Sequence, residues 1–544
     1  MTAYDQFAYK GGVFSQTHPQ RLQAVAKLFG LDTPALETCS VLELGCGDGA
    51  NLIPMAAYLP HARFVGVDLA ESPIAMGVQR IDRLGLHNIR LLQADVSALG
   101  ESLGKFDYII AHGLYSWVPP FVRDAILKLV QVSLTDRGVA YISYNALPGC
   151  RLRHLVREML QFRFGARAFD IETIPEARAF LSAYAGLSVD ANDHTLTEEM
   201  PKIPYLDTLK GEIQFSLALP DYVMFHDDLS EFATPFYLHE FAKAAQRHGL
   251  QYLGEPGVET MFPKAGSESF KAAAFLWTPL GTDPWVAEQQ YLDFALGRRF
   301  KQSLLCKNLQ RERDLAPIPH LERKVDENTI HGMHLRTALQ PDAPLSQASL
   351  YSRDLVKFEC LGRVVSVDEP IAKVSLHHLA KTFPNSVPVT VLIDLSLTKC
   401  QEQGLSYEKD ATVQAMSRLL WSLVLSGHME IFGQAIRVGG FFTPLDKDGP
   451  ELSLGVESMW PKLSPFIADA INENLPLAGA LHTEIHLEDS FSRALALQMD
   501  GLSTIRQLAD IGAKSDDAAG VLTRTLEFVR FLDRQGALLR PATA

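Results

Sequence analysis

The stretch Val41–Leu52, VLELGCGDGANL, constrains this chain more than any other. Val41-Leu42-Glu43-Leu44 is an apolar run of strand length, and Ala50 to Tyr58 carries a helical pattern. Gly45-Cys46-Gly47-Asp48-Gly49 separates them. Three glycines let the backbone turn tightly and let a ligand approach with no Cβ in the way. A helix that starts behind such a loop aims backbone N–H groups at the ligand. The expectation is a strand–loop–helix unit with a small molecule seated on the loop.

Two ligand classes fit. Gly45, Gly47 and Ala50 satisfy the dinucleotide pattern G-x-G-x-x-G/A. Glu43, Gly45, Gly47 and Gly49 satisfy E/D-x-G-x-G, the usual loop for S-adenosylmethionine. The acid separates the two. A carboxylate helps neutralise the ammonium of a methionyl group, whereas Glu43 and Asp48 would repel a pyrophosphate. Glu43, Gly45, Cys46, Gly47 and Gly49 are therefore candidate cofactor contacts.

The next segments narrow the choice. Arg63-Phe64-Val65-Gly66-Val67-Asp68 reads as a second strand ending in an acid. Asp68 stands about twenty residues past the glycines, where a carboxylate accepts from ribose hydroxyls, and Leu69 beside it is a further candidate contact. Ile89 to Val96 is a third strand with Asp95 at its end. Asp95 is placed to accept from an adenine amino group and the Val96 N–H to donate to the ring; a simple strand-end cap is the alternative for Asp95. Phe106 to His112 reads as a fourth strand. Loop, Asp68, Asp95 and FDYII, in that order, form the class I methyltransferase series.

Further motifs extend the pattern: AYDQFAY and THPQRL near the start, AHGLYSWVPP at Ala111–Pro120, YISYNALPG at Tyr141–Gly149, YVMFHDDL at Tyr222–Leu229, and TPFYLHEFAKAAQRHGLQYL at Thr234–Leu253. Together they resemble bacterial methyltransferases with a methyltransferase regulatory domain, whose characterised branch comprises outer-membrane-protein lysine methyltransferases. The likeness covers nearly the whole chain and is strongest over the first 150 or so residues. It implies S-adenosylmethionine dependence and an N-terminal segment, with Tyr4 and Asp5, folded over the cofactor. An aromatic tends to follow YNxxPG in that family; here the position is Cys150.

The formal net charge of −14 argues against a nucleic-acid substrate, since phosphate binding needs a basic face. It suits a cationic protein segment. Six scattered cysteines without C-x-x-C pairs give no zinc or disulfide framework and fit a reducing cytoplasm. The first residues, MTAYDQFAYKGG, lack the apolar core of a signal peptide. No run is long enough to insert in a membrane.

The alternation of strands and helices predicts an α/β fold: a seven-stranded class I methyltransferase sheet with an inserted helical subdomain, then winged-helix-like α+β modules. The expected divisions are 1–150 for the cofactor-binding core, 151–228 for the insertion (a lid or homodimer contact), 229–308 for the end of the core and regulatory region, and 309–455 and 456–544 for the modules. Leu309 to Ala316, running into Pro317-Ile318-Pro319, reads as a linker. Ser417–Phe432 and Leu522–Leu539 share a helix, a Gly turn and a short apolar strand. Every cofactor contact is expected before Lys307, leaving substrate choice to the modules.

Methyl transfer from a sulfonium is an in-line displacement, so placing the nucleophile about 3 Å from the methyl supplies much of the acceleration. A lysine acceptor, with a reference pKa of about 10.4, also pays roughly 4–5 kcal/mol for its neutral form at pH 7. His112, Tyr115 and Trp117 after the fourth strand, and Tyr144 at the end of the fifth, are the candidate acceptor-side residues. Ring faces attract a cationic amine, and His112, also a candidate cofactor contact, is placed to guide the departing proton. Tyr115 and Trp117 read equally as packing groups. His226-Asp227-Asp228 reads as a helix start, with no metal assigned. The reading is a cytoplasmic protein methyltransferase directed at an amine, with lysine first. A small-metabolite methyltransferase and a catalytically silent binding protein are the alternatives.

Overall fold

The computed structural model describes residues 5, 7, 9–100, 103–186, 204–262, 278–279, 281–308, 321, 325–360, 362–437, 464–473, 477–478, 482, 485–487, 490–499, 503, 505–512, 518–535 and 537–538. Tyr4 and the expected linker 309–319 lie outside them.

Strands β1 Ser40–Leu44, β2 Arg63–Asp68, β3 Ile89–Gln93, β4 Phe106–Ala111, β5 Leu134–Asn145, β6 Leu250–Gly254 and β7 Phe300–Lys307 form one sheet in the order β3-β2-β1-β4-β5-β7-β6. β1 to β5 run parallel, and β7 is antiparallel to both β5 and β6. This is the class I methyltransferase sheet. Val41, Leu42 and Leu44 are fully buried, as the central strand of a sheet covered on both faces must be. The strand order reverses between β1 and β4, which opens a crevice at their carboxyl ends.

The core helices are α1 Pro19–Leu28, α2 Leu52–Tyr58, α3 Glu71–Leu84 and α4 Pro120–Ser133. Proline at the first position starts α1 and α4, where its missing N–H costs nothing. Gly85, at φ 64°, ends α3 as a left-handed cap.

Between β5 and β6 the chain leaves the sheet through α5 Cys150–Phe164, α6 Ile174–Ala185, α7 Pro204–Ala218 and α8 Asp221–Asp227. These helices bury their own apolar cluster around Val156, Leu160, Leu181, Ile213 and Met224, separate from the core under the sheet. His226-Asp227-Asp228 ends α8; it does not start a helix. Asp228 is buried there against Arg153, 2.7 Å away, and no metal is needed to explain it. The chain returns through α9 Leu238–Arg247 to β6, and α10 Pro284–Leu296 leads to β7.

Two three-stranded sheets follow. β8 His334–Arg336 lies between β12 Val387–Pro388 and β13 Glu430–Phe432; β10 Val356–Cys360 lies between β9 Gln340–Pro341 and β11 Arg363–Val367. With them come helices α11 Gln347–Tyr351, α12 Pro370–Thr382, α13 Val389–Glu402 and α14 Lys409–Leu425. The order α12–β12–α13–α14–β13 is helix, strand, helix, helix, strand. Helices α15 Pro465–Asn472, α16 Ser490–Leu497, α17 Ile505–Gly512 and α18 Ala518–Arg534 are the described helices of the C-terminal region. Both regions dock on the methyltransferase core. Glu430 on β13 pairs with Arg21 of α1 and with Arg336. Asp469 on α15 pairs with Arg80, 3.1 Å away, and Arg83, both on α3.

Candidate active site

The glycine loop is shaped by positive φ at Gly45, Gly47 and Gly49 (73°, 54° and 75°), a conformation other residues enter at a cost. Gly45 N and Cys46 N donate to the Val67 carbonyl at 2.8 and 3.1 Å, which ties the loop to the end of β2. The Asp68 carboxylate completes the turn by accepting from Gly47 N at 2.8 Å and Ala70 N at 2.9 Å. From behind, α3 presses on the loop through Gly77, where a Cβ would stand 2.4 Å from the Asp48 carbonyl.

Glu43 is 3% exposed at the floor of this loop. One carboxylate oxygen accepts from Asn51 Nδ2 at 2.8 Å; the other is buried without a hydrogen-bond partner among the described residues. Burial pushes its pKa up to about 8, and Asp48 and Asp68 add repulsion. Three acids share a small volume, and among the described residues no cation meets the orphaned oxygen. A ligand bearing a positive charge fits here and an anionic pyrophosphate does not. Asp68, at the mouth, offers acceptors to hydroxyls. Asp95 is exposed and caps the turn Val96–Ala98 by accepting from Ser97 N and Oγ, at 2.8 and 2.7 Å. The strand-end cap weighed for Asp95 is thus present, and it leaves the carboxylate at the rim of the crevice. Val96 and Cys46 are buried, while Leu69 is exposed at the mouth.

An N-terminal strap crosses the loop. At Gly11 a Cβ would lie 2.5 Å from Asp48 Oδ1 and 2.6 Å from the Ala50 Cβ, so the backbone passes in close contact. Upstream, Asp5 accepts from Ser72 N at 3.1 Å, the Phe7 carbonyl meets His226 Nε2 at 2.7 Å, and Tyr9 packs edge-on against Tyr222. Downstream, Phe14 N donates to Asn51 Oδ1 at 3.0 Å, and the Phe14 ring lies 4.0 Å from that of His112. THPQRL then starts α1: Thr17 bonds Asn51, and His18 caps the helix through Gln20 N.

The segment after β4 forms the opposite wall. Leu114 covers Gly45, and Gly113 N donates to Ser143 Oγ at 2.8 Å. His112 Nδ1 meets Tyr141 Oη at 2.9 Å, and Phe14, Tyr141 and Phe300 surround the ring. Burial pushes its pKa down to about 4, so the imidazole is neutral.

Two of the four acceptor-side candidates face elsewhere. Tyr115 and Tyr144 are 3% and 1% exposed and pack with Phe236 and Phe241. Tyr144 Oη is hydrogen-bonded to Ser303 Oγ at 3.0 Å. The reason is parity. Side chains alternate along a strand, so Tyr141 and Ser143 share the face that meets His112 while Tyr144 points the other way. Trp117 is half-buried at the end of the turn Tyr115–Trp117. Cys150 is buried as the first residue of α5. Missed in the sequence were Asn51, Phe14 and the strap glycine Gly11: Asn51 lies within Val41–Leu52 but outside the E-x-G-x-G pattern, and no motif marks Phe14 or Gly11.

Residues 41–138 match the family model for a methyltransferase domain, and 220–307 match that of the "Predicted methyltransferase regulatory domain". An uncharacterized protein of Rickettsia prowazekii is 32% identical over 442 residues, covering 80% of this chain and 74% of its own. The chain belongs to this methyltransferase family. A second uncharacterized Rickettsia prowazekii protein is 35% identical over 251 residues, 46% of this chain and 96% of its own. Among solved structures, PKMT2 from Rickettsia typhi shares the fold at a TM-score of 0.79 and 24% identity, over 97% of this chain and 99% of that one, and it has also been solved in complex with AdoHcy. As a class I methyltransferase the chain uses S-adenosylmethionine, and the acid-floored loop fits that cofactor. Among the described residues no helix is long and apolar enough to cross a membrane.

Proposed function

We propose that this methyltransferase modifies a side-chain amine of a protein, a lysine. The observation that carries the reading is His112: a neutral imidazole fixed through Nδ1 by Tyr141 and ringed by Phe14, Tyr141 and Phe300 beside the cofactor loop. The cofactor supplies an electrophilic methyl on a sulfonium. The chain's own residues then hold the cofactor, cover it and orient the acceptor. Glu43 takes the ammonium and Asp68 the ribose hydroxyls; Asp95 and the Val96 N–H lie on the adenine side. The strap from Asp5 to Phe14 covers the loop and excludes water. His112, uncharged, adds no repulsion to two nearby positive centres. Its Nε2 accepts a hydrogen bond from the acceptor N–H and so turns the nitrogen lone pair towards the methyl. An acceptor lysine desolvated among these rings has its pKa lowered, which favours the neutral form that reacts. Trp117 stands at the edge of this wall as a ring for the approaching cation; Tyr115 and Tyr144 support it from the core.

A formal charge of −14 attracts a lysine-rich segment. The regions beyond β7 offer docking surface that a small metabolite does not need. The six cysteines form no disulfide among the described residues, which suits a reducing compartment such as the cytoplasm.

The test is transfer of labelled methyl from the cofactor to lysate of a strain lacking the protein, resolved into protein and small-molecule fractions. Label is expected on lysine Nζ in the protein fraction. Label confined to small molecules, or to carboxylates or sulfur, overturns the assignment. His112→Phe should lower turnover roughly 100-fold through lost alignment with cofactor affinity nearly unchanged.

A further inference from the structure

Asn51, 4% exposed behind the glycine loop, joins three distant parts of the chain. Its Oδ1 accepts from Phe14 N at 3.0 Å and lies 2.9 Å from His482 Nε2; its Nδ2 donates to Glu43 Oε1 at 2.8 Å. A backbone N–H can only donate, so the atom facing Phe14 is the amide oxygen and the NH2 faces Glu43. His482 therefore carries its proton on Nε2 and donates it to Asn51.

His482 belongs to the C-terminal region, between Leu477 and Ile485, which are joined by Ile485 N to the Leu477 carbonyl at 2.9 Å. Its φ is 53°, a left-handed conformation that side-chain-bearing residues keep only where surroundings hold them. It is 2% exposed, packed against the ring of His18. A second anchor holds the same region: Asp469 on Arg80 and Arg83, with Phe466 against Tyr58 and Arg80. A buried polar ring in a strained backbone is a poor way to fill space. It is a sound way to aim an amide.

We infer that His482 is a positioning residue for the cofactor site: through Asn51 it sets the aim of the Glu43 carboxylate, so that affinity for S-adenosylmethionine depends on the docking of the C-terminal region. The coupling is reciprocal, so bound cofactor tightens that docking. Both statements concern cofactor binding alone and stand whatever the methyl acceptor is.

The experiment uses the full chain. His482→Gly relieves the backbone and removes the donor; His482→Gln keeps an amide donor near the position of Nε2. Calorimetry should show S-adenosylmethionine binding weakened roughly 2- to 30-fold in His482→Gly, with the cofactor-free melting temperature held or raised, and largely restored in His482→Gln. In the wild type, hydrogen exchange of residues 465–472 should slow when cofactor is added. Unchanged affinity in a folded His482→Gly overturns the inference, as does an equal loss in both variants. If His482→Gly does not fold, wild-type exchange decides: no cofactor-dependent protection of 465–472 overturns it.

Discussion

Glu43 destabilises the fold that it equips for binding. Its pKa stands at about 8 in the folded chain against an ordinary 4.5. Between those values the folded state holds a proton that the unfolded state has lost. Cofactor-free stability therefore falls as pH rises through this window, and the deficit is complete above it. Glu43→Gln should flatten that slope, melting above the wild type at pH 8.5 but not at pH 4, while binding S-adenosylmethionine more weakly. A variant that melts lower at pH 8.5 would show that the carboxylate is satisfied in the free protein. At the strap, Gly11→Ala puts a methyl into Asp48 and Ala50. It should weaken cofactor binding and leave the melting temperature within a degree or two, because the strap lies outside the sheet; calorimetry and melting together check this. The loop that Glu43, Asp68 and the glycines build was legible because the motif is local. Tyr144 was misread because nearness in sequence to Tyr141 hides a reversal of face.

At the scale of elements, α3 meets the glycine loop with no side chain between them. Gly77→Ala would drive a Cβ against the Asp48 carbonyl and Leu91, each at 2.4 Å. The expected cost is about 1–3 kcal/mol in urea unfolding, together with weaker cofactor binding as the loop shifts. An unchanged denaturation midpoint would mean that the helix can slide. β7 carries a fully buried Lys301 whose ammonium meets Glu255 at 2.7 Å and Asp293 at 2.8 Å. It pins the end of β6 and α10 to the start of β7. Lys301→Ala leaves the buried Asp293 and Glu255 to Arg298, at 3.3 and 4.0 Å, and should cost about 3–5 kcal/mol, read by the same unfolding. Strands β1 to β4 were legible from apolar runs, because a buried strand must be apolar wherever it falls in the chain. Gly77 was not, since one glycine in a helical pattern looks the same whether it faces water or a loop.

For the whole molecule, the regions beyond β7 are part of the cofactor-binding unit as well as additions to it. Arg21 and Arg336 hold the Glu430 pKa down to about 2 despite its burial. A depressed carboxylate stabilises above its ordinary value of 4.5, and that contribution is lost as pH falls towards 2. Glu430→Gln should therefore lower the melting temperature at pH 7 and make little difference near pH 2.5; equal effects at both would remove the ion pair from the account. A chain ending near residue 311 strips partners from α1, α3 and Asn51. It is expected to bind S-adenosylmethionine more weakly than the full chain, contrary to the expectation that the later regions serve substrate choice alone. Equal affinity would restore that division of labour.

Whatever depends on neighbours in sequence was determined by sequence alone: the strand–glycine–helix unit, the acids at strand ends, the succession of the first five strands along the chain, and the cofactor they imply. These follow from backbone sterics and from the two- and 3.6-residue periods of buried structure. Tertiary structure decided what depends on meetings across hundreds of residues: which face of β5 serves His112, how the strap lies on the loop, and the arrival of His482 at Asn51. Such contacts leave no local pattern, because a hydrogen bond between residues 51 and 482 constrains only two side chains and the path the chain takes to join them.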